Sequence, residues 1–257
     1  MMSAAIRLPA LKMTSRFKRE PTMNIFLDIE TLPSLQPDAR EQSRQGVKPP
    51  GSYKKPETIA AWWSDEGEAA IEDAYRKQAL DAAHGELCAV GFASDDSVPV
   101  SLVRGLGEPE ADFLRRGLAG IADLMNDSTR TGPDGNRWPE EPFFIAHNAP
   151  FDLGFLLRRC WVNGVRPPFK IPGPSARDGK DYGDTMTVWA GYRGTIGLDR
   201  LCRALGVPSP KDNGMDGSQV FDRWQAGEHA TIAHYNAADV EAVRACWWRL
   251  NWQGVAA

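Results

Sequence analysis

The chain has 257 residues, 42% of them hydrophobic and 25% charged, with 34 Asp and Glu against 30 Lys and Arg for a formal net charge of -4. This balance describes a soluble globular chain with enough apolar residues for one large core, and it excludes disordered and fibrous classes. No apolar run approaches the ~20 residues of a membrane-spanning helix, so no membrane association and a cytoplasmic location are expected. The acidic balance argues against coating a polyanion through bulk charge, though it leaves room for a local basic groove.

Residues 1–22 carry Arg7, Lys12, Arg16, Lys18 and Arg19 with no acid before Glu20. They lack apolar periodicity and are expected to form a disordered extension, with one domain over 23–257. The strand-like run at 24–27 opens that domain. A polar, proline-punctuated segment from Pro33 leads to a helix expected over 56–80, with apolar positions at Ile59, Trp62, Trp63, Ile71 and Tyr75. Residues 87–93 and 98–103, joined at 94–97, read as a hairpin. A Leu- and Ala-rich helix over 108–125 and a Gly/Pro/Asp-rich loop precede the apolar run 143–146, which is too short for a helix and reads as a buried strand. A helix over 151–162, a Pro/Gly-rich stretch to Gly183, a short element at 185–190 and a helix over 198–205 follow. The final helix shows apolar residues at Ile232, Tyr235, Val240, Val243, Trp247 and Leu250, a stripe of 3.6-residue spacing. Strands and helices in this order imply an α/β domain, a mixed sheet flanked by helices. Cys88, Cys160, Cys202 and Cys246 have no metal-ligand spacing and are expected to be buried, reduced thiols.

Four carboxylates stand out against this background. Asp28 and Glu30 end the first strand, where alternation sends residues two apart to one face. Two carboxylates placed so repel one another unless a proton or a cation lies between them. Taken alone, such a pair reads as a solvent-exposed strand end or the start of a turn. Asp152 falls where the buried strand at 143–146 turns into a helix, a place where the helix dipole favours an acid. Asp239 lies on the apolar side of the last helix, one turn after Tyr235, and its burial there requires a partner. A metal ion shared with Asp28 would supply one. Other motifs fail: the loop from Asp212 has Gly at the third calcium-ligand position and Arg223 at the twelfth, and Gly105-x-Gly107 lacks the third glycine of a dinucleotide fingerprint.

Asp28 with Glu30, Asn148-x-x-Phe151-Asp152 and Tyr235-x-x-x-Asp239, in this order, resemble the three exonuclease motifs of the DEDD superfamily of 3′-5′ exonucleases, in its tyrosine subtype. More narrowly, Asp28-Ile29-Glu30-Thr31-Leu32-Pro33, Lys48-Pro49-Pro50-Gly51, Lys211-Asp212 with Asp216-Gly217-Ser218, and Tyr235-x-x-x-Asp239-Val240 resemble predicted exonucleases related to the proofreading domain of family B DNA polymerases. The likeness extends over nearly all of 23–250. Two features depart from it. Asn236 stands where polymerase-type motifs often carry Cys, and His234 lies five residues before Asp239, the offset of the histidine subtype. At ~100° per residue, position 235 lies about 40° from Asp239 on a continuous helix and position 234 about 140° away, which favours the tyrosine.

The resemblance implies an RNase H-like fold and a metal-dependent 3′-5′ exonuclease. Such an enzyme hydrolyses phosphodiester bonds at the 3′ end of DNA, here expected to be single-stranded, and releases nucleoside monophosphates. It implies two Mg²⁺ or Mn²⁺ ions held by Asp28, Glu30, Asp152 and Asp239, an all-oxygen donor set that suits hard ions rather than Zn²⁺. Asp28 would be shared between the ions, Glu30 and Asp239 would complete one site, and Asp152 would support the other. Tyr235 would orient the attacking water, and Thr31, Asn148 and Phe151 would contact the substrate. From Arg158 to Lys211 the chain holds ten Lys or Arg against four Asp or Glu, a local excess suited to phosphate contacts. An RNase D-like exoribonuclease shares the carboxylates and the tyrosine. A non-catalytic nucleic-acid-binding or polymerase-associated module is disfavoured by the intact set. Proofreading, if performed, would act in trans.

Overall fold

The computed structural model of the chain describes residues 23–127, 129–131, 137–139, 141–210 and 214–253. The expected extension at 1–22, together with Lys211 and Asp212, lies outside them. In chain order the elements are β1 (Met23–Leu32), α1 (Ala39–Gly46), α2 (Pro56–Asp65), α3 (Gly67–Lys77), β2 (Glu86–Ala93), β3 (Val100–Val103) and α4 (Glu110–Asp127). A small hairpin of β4 (Thr129–Thr131) and β5 (Arg137–Pro139) precedes β6 (Pro142–Ala146) and α5 (Ala149–Val162). Then come β7 (Gly183–Asp184), α6 (Thr185–Ala190), α7 (Leu198–Leu205), α8 (Val220–Gln225) and α9 (His229–Leu250). Five strands form one mixed sheet in the order β3-β2-β1-β6-β7. β2 is antiparallel to β1 and to β3, whereas β6 runs parallel to β1 and to β7.

β1 is central because it is apolar on both faces. Ile25, Leu27 and Ile29 pack with Phe113 and Leu118 of α4 and with Leu153 and Leu156 of α5. The alternate residues turn to the opposite face, where Phe26 meets Val240, Val243 and Trp247 of α9 and Leu32 meets Tyr235 and Trp224. Each such side chain stabilises the fold by roughly 1.5–3 kcal/mol on burial. Period-2 alternation therefore sends Asp28 and Glu30 to the α9 face.

The register of α9 over the sheet is fixed at its far end. Arg244 is buried and donates to the carbonyls of Ser94 at 2.9 Å and Ser97 at 2.6 Å, inside the turn between β2 and β3. Trp248 Nε1 donates to Asp95 of the same turn. Gly183 of β7 lets Trp247 approach, since a Cβ there would stand 2.6 Å from the indole.

Several expected elements differ in detail. The single helix expected over 56–80 divides at Glu66, whose backbone leaves the helical region at φ -121°. Gly67, a poor helix former, packs against the Trp63 ring so closely that a Cβ would lie 2.6 Å from it. β3 starts at Val100 rather than Val98, since Pro99 has no N–H to give to a ladder. α1 has no counterpart in the sequence reading; only Ala39 of its residues is buried, so its apolar period is faint. The short element at Thr185–Ala190 is a helix, begun by the Asp184 side chain accepting from Met186 N. All four cysteines are buried and free. Among the described residues, no helix is long and apolar enough to cross a membrane.

Candidate active site

One carboxylate oxygen from each of Asp28, Glu30 and Asp239 lies within 4.8 Å of the others. β1 supplies the first two and α9, which crosses β1 and β2 on that face, supplies the third. Asp152 approaches from α5. β1 pairs with β6 only over Met23 to Phe26, and three residues on, where that pairing has ended, the N–H of Ile29 is taken by Asp152 Oδ1 at 3.3 Å. The acids thus gather beyond the carboxyl end of β6, where open α/β sheets leave a crevice. The β1–β2 ladder is irregular just after Glu30, which faces Ala89 while Thr31 faces Leu87. A bulge of this kind re-aims the side chains beside it.

Electrostatics set this cluster apart from an ordinary acidic surface. Burial is the largest influence raising the Asp28 carboxyl well above its ordinary value of 3.8, followed by the charges of Asp239, Glu30 and Asp152; a hydrogen bond from Asn236 opposes them. Glu30 is raised by burial, then by Asp239 and Asp152. Asp152 is raised by burial and by Asp184 and Asp239, against the pull of the Ile29 N–H. The charges that weigh most on these three groups are those of other acids. Carboxylates crowded together out of water favour a proton or a multivalent cation. A donor set made wholly of carboxylate oxygens fits Mg²⁺ or Mn²⁺.

α9 runs unbroken from His229 through His234, Tyr235, Asn236 and Asp239. Tyr235 is buried, and its hydroxyl is hydrogen-bonded to Asp239. Burial and the neighbouring acids push the phenol far above its ordinary 10.0, so it remains a donor. His234 is exposed and lines an open depression with Met215, Ala230, Thr231 and Tyr235. Thr31 is half-buried just past the ladder irregularity. Asn148 is exposed and left-handed (φ 66°, ψ 46°) immediately before α5, a conformation that Asn tolerates better than most residues. Phe151, in the first turn of α5, is half-buried against Phe155 and the core.

Two residues beside this group were not assigned a role in the sequence reading. Asn236 donates to Asp28 Oδ2 at 2.7 Å; its one mark in the sequence is that it replaces the Cys of polymerase-type motifs. Asp184, almost wholly buried, accepts from the N–H groups of Asn148 and Met186, each at 2.9 Å, and from the Thr187 hydroxyl at 3.2 Å. It therefore starts α6 and pins the turn that presents Asn148. An Asp directly before a short apolar element is an N-cap pattern, the signal that could have found it. The basic stretch is also reduced in part by structure, since Arg159 is buried against Glu110 at 2.5 and 2.9 Å. Arg158, Arg166, Lys170, Arg177, Lys180 and Arg193 remain exposed.

Residues 141–253 match the family described as "Predicted 3'-5' exonuclease related to the exonuclease domain of PolB", a span that includes Asp152, Tyr235 and Asp239. The fold is similar to that in "Structure of the family B DNA polymerase from the hyperthermophilic archaeon Pyrobaculum calidifontis", with a TM-score of 0.51 and 15% identity over 89% of this chain and 24% of that one. The chain thus spans about a quarter of the polymerase chain it matches. No curated protein sequence matches it. The mixed sheet with helices on both faces is RNase H-like. Fold and family match point to one class, the 3′-5′ exonucleases related to the exonuclease domain of PolB, and this chain resembles that class.

Proposed function

We propose that the chain is a two-metal-ion 3′-5′ exonuclease that acts on the 3′ end of DNA, single-stranded, and releases nucleoside monophosphates. Residues 23–257 form its exonuclease domain and residues 1–22 an extension. The observation that carries this reading is the convergence of half-buried Asp28 with buried Glu30 and Asp239 from β1 and α9, where the charges that weigh most on Asp28 and Glu30 are those of other acids. Repulsion of this kind is retained where a cation is to be bound.

Asp28, Glu30 and Asp239 would hold one Mg²⁺ or Mn²⁺ ion, and Asp28 with Asp152 would hold a second. Divalent ions bound there supply an activated water and neutralise phosphate charge. Tyr235 stays protonated beside Asp239 and offers its hydroxyl to orient the water. Asn148, exposed at the start of α5, and half-buried Phe151 and Thr31 contact the terminal nucleotide. The exposed bases of 158–193 meet the phosphates further along the strand.

The test is digestion of end-labelled single-stranded DNA, duplex DNA and RNA in Mg²⁺, Mn²⁺ or EDTA. Metal-dependent release of mononucleotides from 3′ ends, fastest on single-stranded DNA, is the expected result. Faster release from RNA would transfer the assignment to an exoribonuclease. Absence of release from all three substrates in both metals would overturn the enzyme reading.

A further inference from the structure

Asp28 faces Gly91 across the β1–β2 ladder, and Gly91 faces Ser101 across the β2–β3 ladder. The three positions form one row on the α9 side of the sheet. Gly91 contributes no side chain to that row, and α9 fills the gap with Asn236. A Cβ at position 91 would overlap Asn236 Oδ1 and stand 2.8 Å from Val240 Cγ2. In this slot Asn236 is fully buried. Its Nδ2 donates to Asp28 Oδ2 at 2.7 Å, and its Oδ1 accepts from Ser101 Oγ at 2.6 Å. In its ionised form, the one a cation would bind, Asp28 offers acceptors only, which sets the NH₂ toward Asp28 and leaves the carbonyl oxygen for the serine hydroxyl.

We propose that Asn236, seated over Gly91 and oriented by Ser101, is a positioning residue for Asp28, committing one carboxylate oxygen to the amide and leaving the other for a divalent cation. This deepens the exonuclease reading and rests on it. A carboxylate free to rotate among its acidic neighbours presents no fixed ligand atom. An amide donor that favours the charged form also works against the burial and repulsion that favour a proton there. Partners that orient metal-ligating groups change metal affinity or activity by about 10- to 100-fold when removed. The bland alternative, a buried Asn that satisfies its own polar atoms, predicts a loss of stability and no change in metal affinity.

The test uses the full chain, with Mn²⁺ alone titrated calorimetrically and turnover on single-stranded DNA followed against Mn²⁺ concentration. Asn236→Ala is expected to weaken Mn²⁺ binding by about ten-fold or more and to raise the Mn²⁺ concentration needed for half-maximal turnover in parallel. Asn236→Asp keeps the size and the partner for Ser101 but turns an acceptor toward Asp28, and is expected to lose more. Ser101→Ala leaves the amide in place but free to turn and is expected to lose a few-fold. If the wild type binds Mn²⁺ and Asn236→Ala matches it in affinity and turnover, the inference falls and the exonuclease reading stands. A wild type that binds no Mn²⁺ overturns both. Should Asn236→Ala fail to fold, Ser101→Ala decides: weakened Mn²⁺ binding supports the inference and unchanged binding overturns it.

Discussion

Asp28, Glu30 and Asp152 each stand in surroundings that favour the neutral acid, so the cluster is costly to the fold until it is compensated. Replacing Asp28 or Asp152 with Ala is therefore expected to abolish Mg²⁺-dependent hydrolysis while leaving the metal-free melting temperature at pH 7 unchanged or higher. Circular dichroism melts beside a 3′-end release assay check both parts. Wild-type turnover in Asp28→Ala would remove the metal-site assignment. Tyr235 and His234 separate by direction. The tyrosine is buried with its hydroxyl on Asp239, and the histidine is exposed on the outer depression. Tyr235→Phe is expected to lower turnover by roughly ten-fold to a thousand-fold with Mn²⁺ binding kept, the loss of a positioned hydroxyl. His234→Ala should change it far less. A pH–rate profile that follows a group near ~6.5, and loses that dependence in His234→Ala, would reverse the two roles.

The helices that aim these residues are held by buried polar links. Glu110, at the start of α4, accepts from Arg159 of α5 through both oxygens, and also from the Leu87 N–H at 2.8 Å and from Asn163 at 2.8 Å. This one carboxylate ties α4, β2 and α5 together, and α5 carries Asp152. Removing it leaves Arg159 charged, buried and short of a partner, a change that costs about 3–5 kcal/mol. Urea unfolding of Glu110→Ala should show that loss, and in the surviving folded fraction hydrolysis should persist, because Glu110 touches none of the clustered acids. A destabilisation below about 1 kcal/mol would show that water or another acid reaches Arg159. Arg244 plays the matching part for α9 by clamping it to the turn between β2 and β3.

For the molecule as a whole, the raised carboxyls give a definite pH dependence. In the unfolded chain these groups titrate near 3.8 and 4.5, whereas in the fold they hold their protons to higher pH. Above those ordinary values the folded state binds more protons than the unfolded one, so this contribution to stability is complete below them and is lost as pH rises through the folded values. Thermal melts in EDTA should show the metal-free protein losing stability from this source as pH rises above about 4. Asp28→Asn should flatten that slope, and Mn²⁺ at pH 7 should raise the melting temperature in the wild type but not in the variant. A wild-type slope identical to that of Asp28→Asn would contradict the buried-cluster electrostatics. Deletion of residues 1–22 is expected to leave activity within a few-fold, since that stretch has no apolar periodicity with which to dock. A drop of orders of magnitude in single-strand affinity at moderate salt would make it a phosphate-binding arm.

Periodicity and residue type made much of the protein legible in one dimension. The apolar runs of β1 and β6 and the stripe of α9 located the strands and the helix that bear the acids, because backbone period and burial are coupled locally. Asp28 and Glu30 on one face, and Tyr235 with Asp239 on one side of a helix, follow from that geometry alone. Three things depended on the tertiary structure. The break between α2 and α3 comes from the packing of Gly67 on Trp63, and α1 is too polar for its period to register. Asp184 became visible as the clamp on Asn148 only when β7 was laid beside β6. Asn236 differs from an ordinary buried amide because of a glycine 145 positions earlier and a serine 135 positions earlier, brought beneath it by two ladders. Such contacts depend on strand register and on the seating of a helix, which residues distant in sequence decide together, and no local pattern of 236 or its neighbours records them.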